Sequence, residues 1–515
     1  MDVDLAIVGS GFGGSILAMV ARRLGLRVAL LERGRHPRFA IGESSSPLAG
    51  ILLEQLGDRY DLPRLKPLAA FGAWQRAYPD VGCGLKRGFT YFKHDAGRPF
   101  TAAPDRSNHL LVAASPNDEI SDTHWLRADV DAFLMREAVA LGAEYADEVE
   151  LDAVEWTAAG AVLSGRRRGA PFRIVSRGIV DATGPRGFLS RALSVETRSF
   201  DGYPGTQALF SHFTGVARCD EMPDYAGAGA RGERPPYPVD DAALHHVFDG
   251  GWMWVLRFGN GVTSAGVAVV DALAGDLKLA EGERAWHRLL ERFPTVRAQF
   301  ADARPTRRFD WMPQLSYRAA VAAGPRWAML PSAAAFVDPL FSTGFPLTLL
   351  GIERLASLLE SGRFFDDPAS LETYSATTLA EADHTARFVA GCYAGFPRFD
   401  DFVQYSMFYF AAASFAEIAR RVAPERAAAG FLRAGDAEFA SALRSWSPAV
   451  SRHEPGMLAD GVRRAVEAVN IAGLCEAKKQ NWYAADAADA VAGSAKLGVS
   501  PQTVAAALTA LGLGP

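Results

Sequence analysis

The chain opens VDLAIVGSGFGGSILAMVARRLGLRVALLERG: an apolar run, a glycine turn, apolar residues at helical spacing, and a second apolar run ending in an acid. Short apolar runs bounded by turn residues read as buried strands and a period of 3.6 reads as helix, so this stretch predicts one βαβ unit. Further on, IVSRGIVDATGPRG predicts another buried strand ending at Asp181, and RWAMLPSAAAFVDPLFSTGFPLTLLGIERLASLLESG predicts a strand, a loop and a helix. In that helix Phe345, Leu349, Ile352, Ala356 and Leu359 form one apolar face that ends at Gly362. GGWMWVLRFG, residues 250–259, predicts a strand on which Trp252 and Trp254 point to one face, as a wall or as two core indoles. From about residue 363 the pattern is helical. FVQYSMFYFAAASFAEIARRV carries Gln404, Tyr405, Ser406 and Glu417, which predict a core or pocket-lining helix rather than a membrane span.

Length and charge narrow the class. At 515 residues two or three packed units are expected, and a formal net charge of −5 offers no general attraction for nucleic acid or an anionic membrane. The start carries acids where an export signal carries positive charge, so a cytoplasmic protein is expected. Cys83, Cys219, Cys392 and Cys475 are far apart and form no CxxC pair, which predicts reduced structural thiols. His245 and His246 are neighbours on a strand and face opposite ways, so no metal site is expected. GRRRGAPFR reads as a solvated hairpin tip.

The glycines of GSGFGG carry chemistry because of their βαβ context. Gly9 allows the tight turn, Gly11 lets backbone approach a pyrophosphate and Gly14 lets the helix lie on the strand, while free N–H groups at the helix start face the phosphates. Glu32 ends the second strand where such folds place an acid on a ribose hydroxyl. The loop that follows, RGRHPRFAIGESSSP, is too long and polar for a plain βα connection, and its serine triplet is positioned to cap the helix LAGILLEQLG. NAD enzymes return at once to another βαβ turn; FAD is the better match.

With GSGFGG, HPRFAIGESSSP, CGLKRGF, RADVD, LHHVFDGGWMW and FVDPLFSTG in order, the chain resembles the flavin-dependent halogenases, in their phenol-halogenating branch, over most of residues 1–360. The resemblance implies an α/β fold: a Rossmann-like FAD-binding domain of the p-hydroxybenzoate hydroxylase type, an inserted mixed β-sheet for substrate, and a helical C-terminal extension. FAD-binding segments are expected at about 1–60, 105–185 and 310–362, the substrate sheet at about 61–104 and 186–309, and the helical region at 363–515. It further implies that FADH2, delivered by a separate NAD(P)H-dependent flavin reductase, and O2 convert a halide ion to hypohalous acid. That acid crosses a short interior tunnel to a lysine beside a small aromatic substrate.

By that resemblance the lysine is Lys86, between Gly84 and Gly88, which permit close packing around it. Taken alone, without the resemblance, Lys86 reads as a surface residue of a strand pair. Lys93 lacks the context and is expected in solvent. The residues implied to hold FAD are Gly9, Gly11, Phe12, Gly13, Gly14, Glu32, Arg33, Glu43, Ser44, Arg127, Gly344 and Phe345. Arg127 and Asp131, one helical turn apart, also read as an ordinary surface bridge. The amides of Thr343 and Gly344, at a helix start with Ser342, are implied to bind halide, since backbone donors hold an anion without trapping it.

Three departures qualify the resemblance. Leu256 and Arg257 stand where the family's WxWxIP motif has isoleucine and proline, bringing a charge near the wall and leaving an FAD-dependent monooxygenase or reductase as the alternative activity. Phe341 stands where tryptophan halogenases place a glutamate near the lysine, which points to a phenol, already activated by its own oxygen. Pro331-Ser332 replaces the Gly-Asp of FAD hydroxylases, which suits a cofactor held loosely enough to arrive reduced.

Overall fold

The computed structural model describes residues 2–513 apart from 158–159, 186, 227–233 and 447–455. Asp2–Val8, apolar from Leu5 onward, sits at the centre of an eight-stranded sheet. It pairs in parallel with Val28–Leu31 on one side and Ala170–Asp181 on the other, and Glu144–Ala146 and Trp327–Met329 extend the parallel set. The carboxyl ends of these strands, at Val8, Leu31, Asp181 and Met329, open at one edge, where parallel sheets bind their ligands. The Arg-rich run forms the Gly160–Arg167 and Ala170–Asp181 hairpin tip, its Arg168 paired with Asp147 and Glu148.

A nine-stranded mixed sheet lies beside it and carries Gly88–Lys93, Ala243–Phe248, Gly251–Arg257 and Thr263–Val270. Two strands expected in the FAD part belong here instead: His109–Ala113 pairs with Gly88–Lys93, and Asp310–Met312 with Thr206–Thr214. Their register partners, far away in sequence, decide the sheet they join, and local pattern carries no information on register. Among the described residues, the one strand of the otherwise helical C-terminal region is Trp482–Tyr483, which adds a parallel edge to His109–Ala113. Cys83–Lys86 and Asp122–Trp125 pair as a separate antiparallel ladder of two strands.

Helices Pro368–Gly395 and Phe399–Val422 pack side by side. The first is tied to Gly344–Glu360 by Arg354, which donates to both oxygens of Glu381 at 2.6 and 2.7 Å; Glu381 is 2% exposed and also accepts from the Phe431 amide. Removing one partner of a buried pair strands the other charge, so Arg354→Ala is expected to cost about 3–5 kcal/mol. The measurement is the urea midpoint monitored by near-UV circular dichroism; an unchanged midpoint would show the pair contributes nothing.

Candidate active site

The first turn of Phe12–Arg23 is packed as its glycines require. A Cβ on Gly14 would lie 1.9 Å from the Gly9 carbonyl oxygen, and Gly9 itself has φ +103°. Gly11 faces two guanidinium groups: a Cβ there would point between Arg127 and Arg38, at 3.4 and 3.8 Å. Arg127 is held in place by Asp131, with Nε and Nη2 donating to its two oxygens at 2.9 Å, and by donation to the carbonyls of Ile41 and Gly42. Asp131 is fully buried and also accepts from the Phe12 amide, so the surface-bridge reading of this pair is corrected: a solvent-facing helix was assumed where the helix packs on the cleft. A helix N-terminus flanked by two fixed guanidinium groups fits a pyrophosphate.

Glu32 is 6% exposed and accepts from Ser10 N and Oγ, Gly34 N and Arg38 Nη2. Burial alone raises its pKa, but Arg38 and the amide donors outweigh that and hold it at about 2. Arg33 is exposed and does not line the cleft; the basic residue that the fold brings to Glu32 and Gly11 is Arg38. Ser46 takes the cap position of helix Pro47–Arg59, but no side chain makes the capping bond.

A cavity of about 310 Å³ runs on from this end. Its walls include Gly11, Phe12, Gly13, Glu43, Ser44 and Arg127, then Trp252 and Trp254, then Ser342, Thr343, Gly344 and Phe345. Gly344–Glu360 begins here with Thr343 at its N-cap; Phe345 stacks on Phe12 at 4.6 Å, joining the two helix starts. Among the described residues no protein group accepts from the amides of Thr343 and Gly344. Two unsatisfied donors at the positive end of a 17-residue helix suit an anion.

Trp252 and Trp254 are 1% and 5% exposed, with ring centroids 5.7 Å apart. The strand across from Trp254 supplies Gly266, where a Cβ would sit 2.4 Å from the indole, so the ring lies flat on the sheet. Leu256 continues the same face into the cavity lining. Arg257 is on the other face, bonded to Asp240 and to the carbonyls of Val216 and Ala217. The expectation of a charge near the wall is therefore corrected, because residues one apart on a strand face opposite ways.

Lys86 is 0% exposed. Its ammonium donates to the Ser45 carbonyl and to Ser342 Oγ, the latter at 3.2 Å, and lies 4.0 Å over the Phe89 ring. Gly84 and Gly88 do let backbone close in: a Cβ on either would strike the carbonyl oxygen of Arg257 or Val112. Burial lowers the Lys86 pKa toward neutrality, opposed by Asp122 and Glu417. Ser342, at φ +56°, belongs both to this hydrogen bond and to the cavity wall, and stands between the amine and the amides of Thr343 and Gly344 that follow it in the chain. Lys93, expected in solvent, is instead tucked in, paired with Asp249 and donating to the Phe396 carbonyl.

Sequence reading missed Arg38, Asp122 and the linking role of Ser342. It also missed Asp338, a buried carboxyl on the cavity wall that accepts from Tyr203 and Tyr393. His245 and His246 do face apart, the first stacked on Tyr91 and the second bonded to Gln299. No metal-binding cluster occurs among the described residues, and no helix of the described residues is long and apolar enough to cross a membrane.

The family model described as tryptophan halogenase matches residues 123–406, more than half of the chain, including both tryptophans and the 338–345 loop. The chain belongs to the tryptophan halogenase family. Relatives include monodechloroaminopyrrolnitrin halogenase PrnC of Pseudomonas fluorescens, 29% identical over 77% of this chain and 68% of its own length. Tetracycline 7-halogenase of Kitasatospora aureofaciens is 30% identical over 71% of this chain and 64% of its own. The solved halogenase PltM, in complex with phloroglucinol and FAD, shares the fold with a TM-score of 0.79 at 22% identity, covering 93% of this chain and 99% of that one. As a flavin-dependent halogenase, the protein is an FAD enzyme that works with FADH2 and halide. Lys86 lies outside the matched span, so its part rests on its own geometry.

Proposed function

We propose that the protein halogenates a small phenolic or similarly electron-rich aromatic compound, with Lys86 delivering the halogen. The observation that carries this reading is the Lys86 amine: fully buried, yet joined through Ser342 to the wall of the flavin cleft. Bound in reduced form, FAD supplies the electrons with which O2 becomes an oxidant for halide. The chain's own residues do the rest. Gly11, Gly13, Arg38, Arg127 and Glu32 would hold the dinucleotide, and the Thr343 and Gly344 amides would hold halide beside it. Trp252, Trp254 and Leu256 keep an organic substrate off the flavin. Lys86 takes hypohalous acid by hydrogen bond, its lowered pKa placing both protonation states within reach near neutrality.

Support for a phenol comes from Phe341 where a carboxylate is expected, and from the phloroglucinol that PltM holds. Phe341 stacks on Tyr409 at 4.1 Å, and with Phe89 and Phe410 it encloses the amine in aromatic surface. The test supplies FAD, a flavin reductase, NADH, bromide and a panel of phenols, read by mass spectrometry. A gain of bromine supports the reading; a gain of oxygen alone, or no product, contradicts it.

A further inference from the structure

We propose that Asp122 is a second catalytic residue, the base that removes the ring proton once the halogen has been added. The proposal rests on the phenol and Lys86 reading above.

Asp122 is directly opposite Lys86 in the antiparallel ladder, so both side chains rise from the same face with Cβ atoms about 4.5–5.5 Å apart. An acid and an amine so placed normally form an ion pair. Here the two make no close ion pair: the Lys86 ammonium donates to the Ser45 carbonyl and the Ser342 hydroxyl and lies over the Phe89 ring, and Asp122 acts on it only at longer range. Asp122 is 5% exposed, its Oδ2 is buried, and nothing among the described residues donates to that oxygen. An unpartnered buried carboxylate oxygen costs free energy and is retained where something else uses it. Across the ladder from the amine, the group assigned to that oxygen is the ring C–H of the substrate that Lys86 serves.

The other groups facing this spot fit one base among neutral neighbours. Lys86 faces Asp122 from the paired strand, and Glu417 and Tyr409 face it from helix Phe399–Val422. Burial pushes the Glu417 carboxyl well above the usual range although the residue as a whole is only half-buried, with the Asp122 charge adding to the effect. Burial likewise raises Tyr409, while His124 and His245 nearby are lowered by burial and stay neutral. Asp122 is raised by burial and drawn back by Lys86, the one cation in its set, so it is the acid that ionises near neutrality.

The steps balance. The ring carbon bonds the halogen of hypohalous acid as the oxygen–halogen bond breaks, its electron pair leaving on oxygen. That hydroxide takes a proton from the Lys86 ammonium and departs as water. The ring C–H bond then breaks, its pair restoring aromaticity and its proton passing to Asp122. Asp122 returns the proton to the Lys86 amine, so arene and hypohalous acid become haloarene and water, with both side chains reset.

The experiment compares wild type, Asp122→Asn and Asp122→Glu in the reductase-coupled reaction, using ring-deuterated and ordinary phenol, with FADH2 oxidation followed in parallel. For Asp122→Asn the expected result is unchanged FAD binding and FADH2 oxidation, with halogenated product reduced by about 10²-fold or more. A primary deuterium isotope effect that wild type lacks should appear, and the acidic limb of the pH profile should vanish. Asp122→Glu should restore part of the rate. Product formation by Asp122→Asn at the wild-type rate, with no isotope effect, would overturn the base assignment and leave the substrate reading intact. A loss in Asp122→Asn without an isotope effect, not restored by glutamate, would also overturn it, in favour of a structural role. If wild type makes no halogenated phenol, the substrate reading falls and the proposal with it.

Discussion

Lys86→Ala is expected to abolish halogenated product, by about 10²–10⁴-fold, while FADH2 is still oxidised at the wild-type rate. The split follows from position. Lys86 does not line the cavity at the flavin end; it touches that cavity only through Ser342 Oγ, so its loss leaves the Gly11, Arg127 and Thr343–Gly344 surroundings intact. The oxidant then has no amine to receive it and escapes to solvent, where an added dimedone-type trap collects it. Lys86→Arg should fail as well, because a guanidinium does not lose its proton near neutrality and is too broad for the pocket between Phe89 and Ser342. If FADH2 oxidation collapses together with product, Lys86 acts on the cofactor and the division of labour is wrong.

Gly14→Ala is expected to raise the dissociation constant for FAD by about 100-fold or more, since displacing the first-turn amides by even 3 kcal/mol has that effect. The new methyl would lie 1.9 Å from the Gly9 carbonyl oxygen and 3.0 Å from the Ala182 side chain. The first contact is backbone and cannot rotate away, so the helix start must move off the strand and carry Gly11 and Phe12 with it. Gly25, where a Cβ meets nothing within 4 Å, has a positive φ but no neighbour to displace; Gly25→Ala should therefore cost stability modestly and leave FAD affinity unchanged. Flavin fluorescence titration distinguishes the two, and equal affinity in both variants would contradict the packing argument.

What was legible in the sequence was whatever chemistry is local. GSGFGG and the FSTG turn each fit within one turn of chain, and the fold puts a tight Gly9–Gly14 contact at the first and a helix start at the second, while the partners of Glu32 come partly from the loop after it. The paired tryptophans were legible from period two alone. The same period assigns Arg257 to the opposite face, yet it was read as a threat to the wall, a reading that the alternation itself contradicts. Asp122 was invisible for another reason: ISDTHW carries no motif, and its meeting with Lys86 depends on a ladder between residues 36 apart in sequence whose register no local pattern sets. Glu417 was read only as a mark against a membrane span, because an acid in an aromatic helix reveals nothing of what it faces. Arg38 hid in a polar loop from which the resemblance singled out Arg33, and only the fold shows that Arg38 is the one turned toward Glu32.

The account holds that oxidant is made at the flavin and spent at Lys86, with an indole wall between. The direct measurement is a single turnover in which reduced enzyme reacts with O2 and bromide in the presence of phenol and a soluble hypohalite trap, with brominated phenol and trapped oxidant both quantified. Brominated product from wild type, and none from Lys86→Ala, is the predicted result. Product that forms equally without the lysine, or Lys86→Ala that releases no oxidant to the trap, would contradict it.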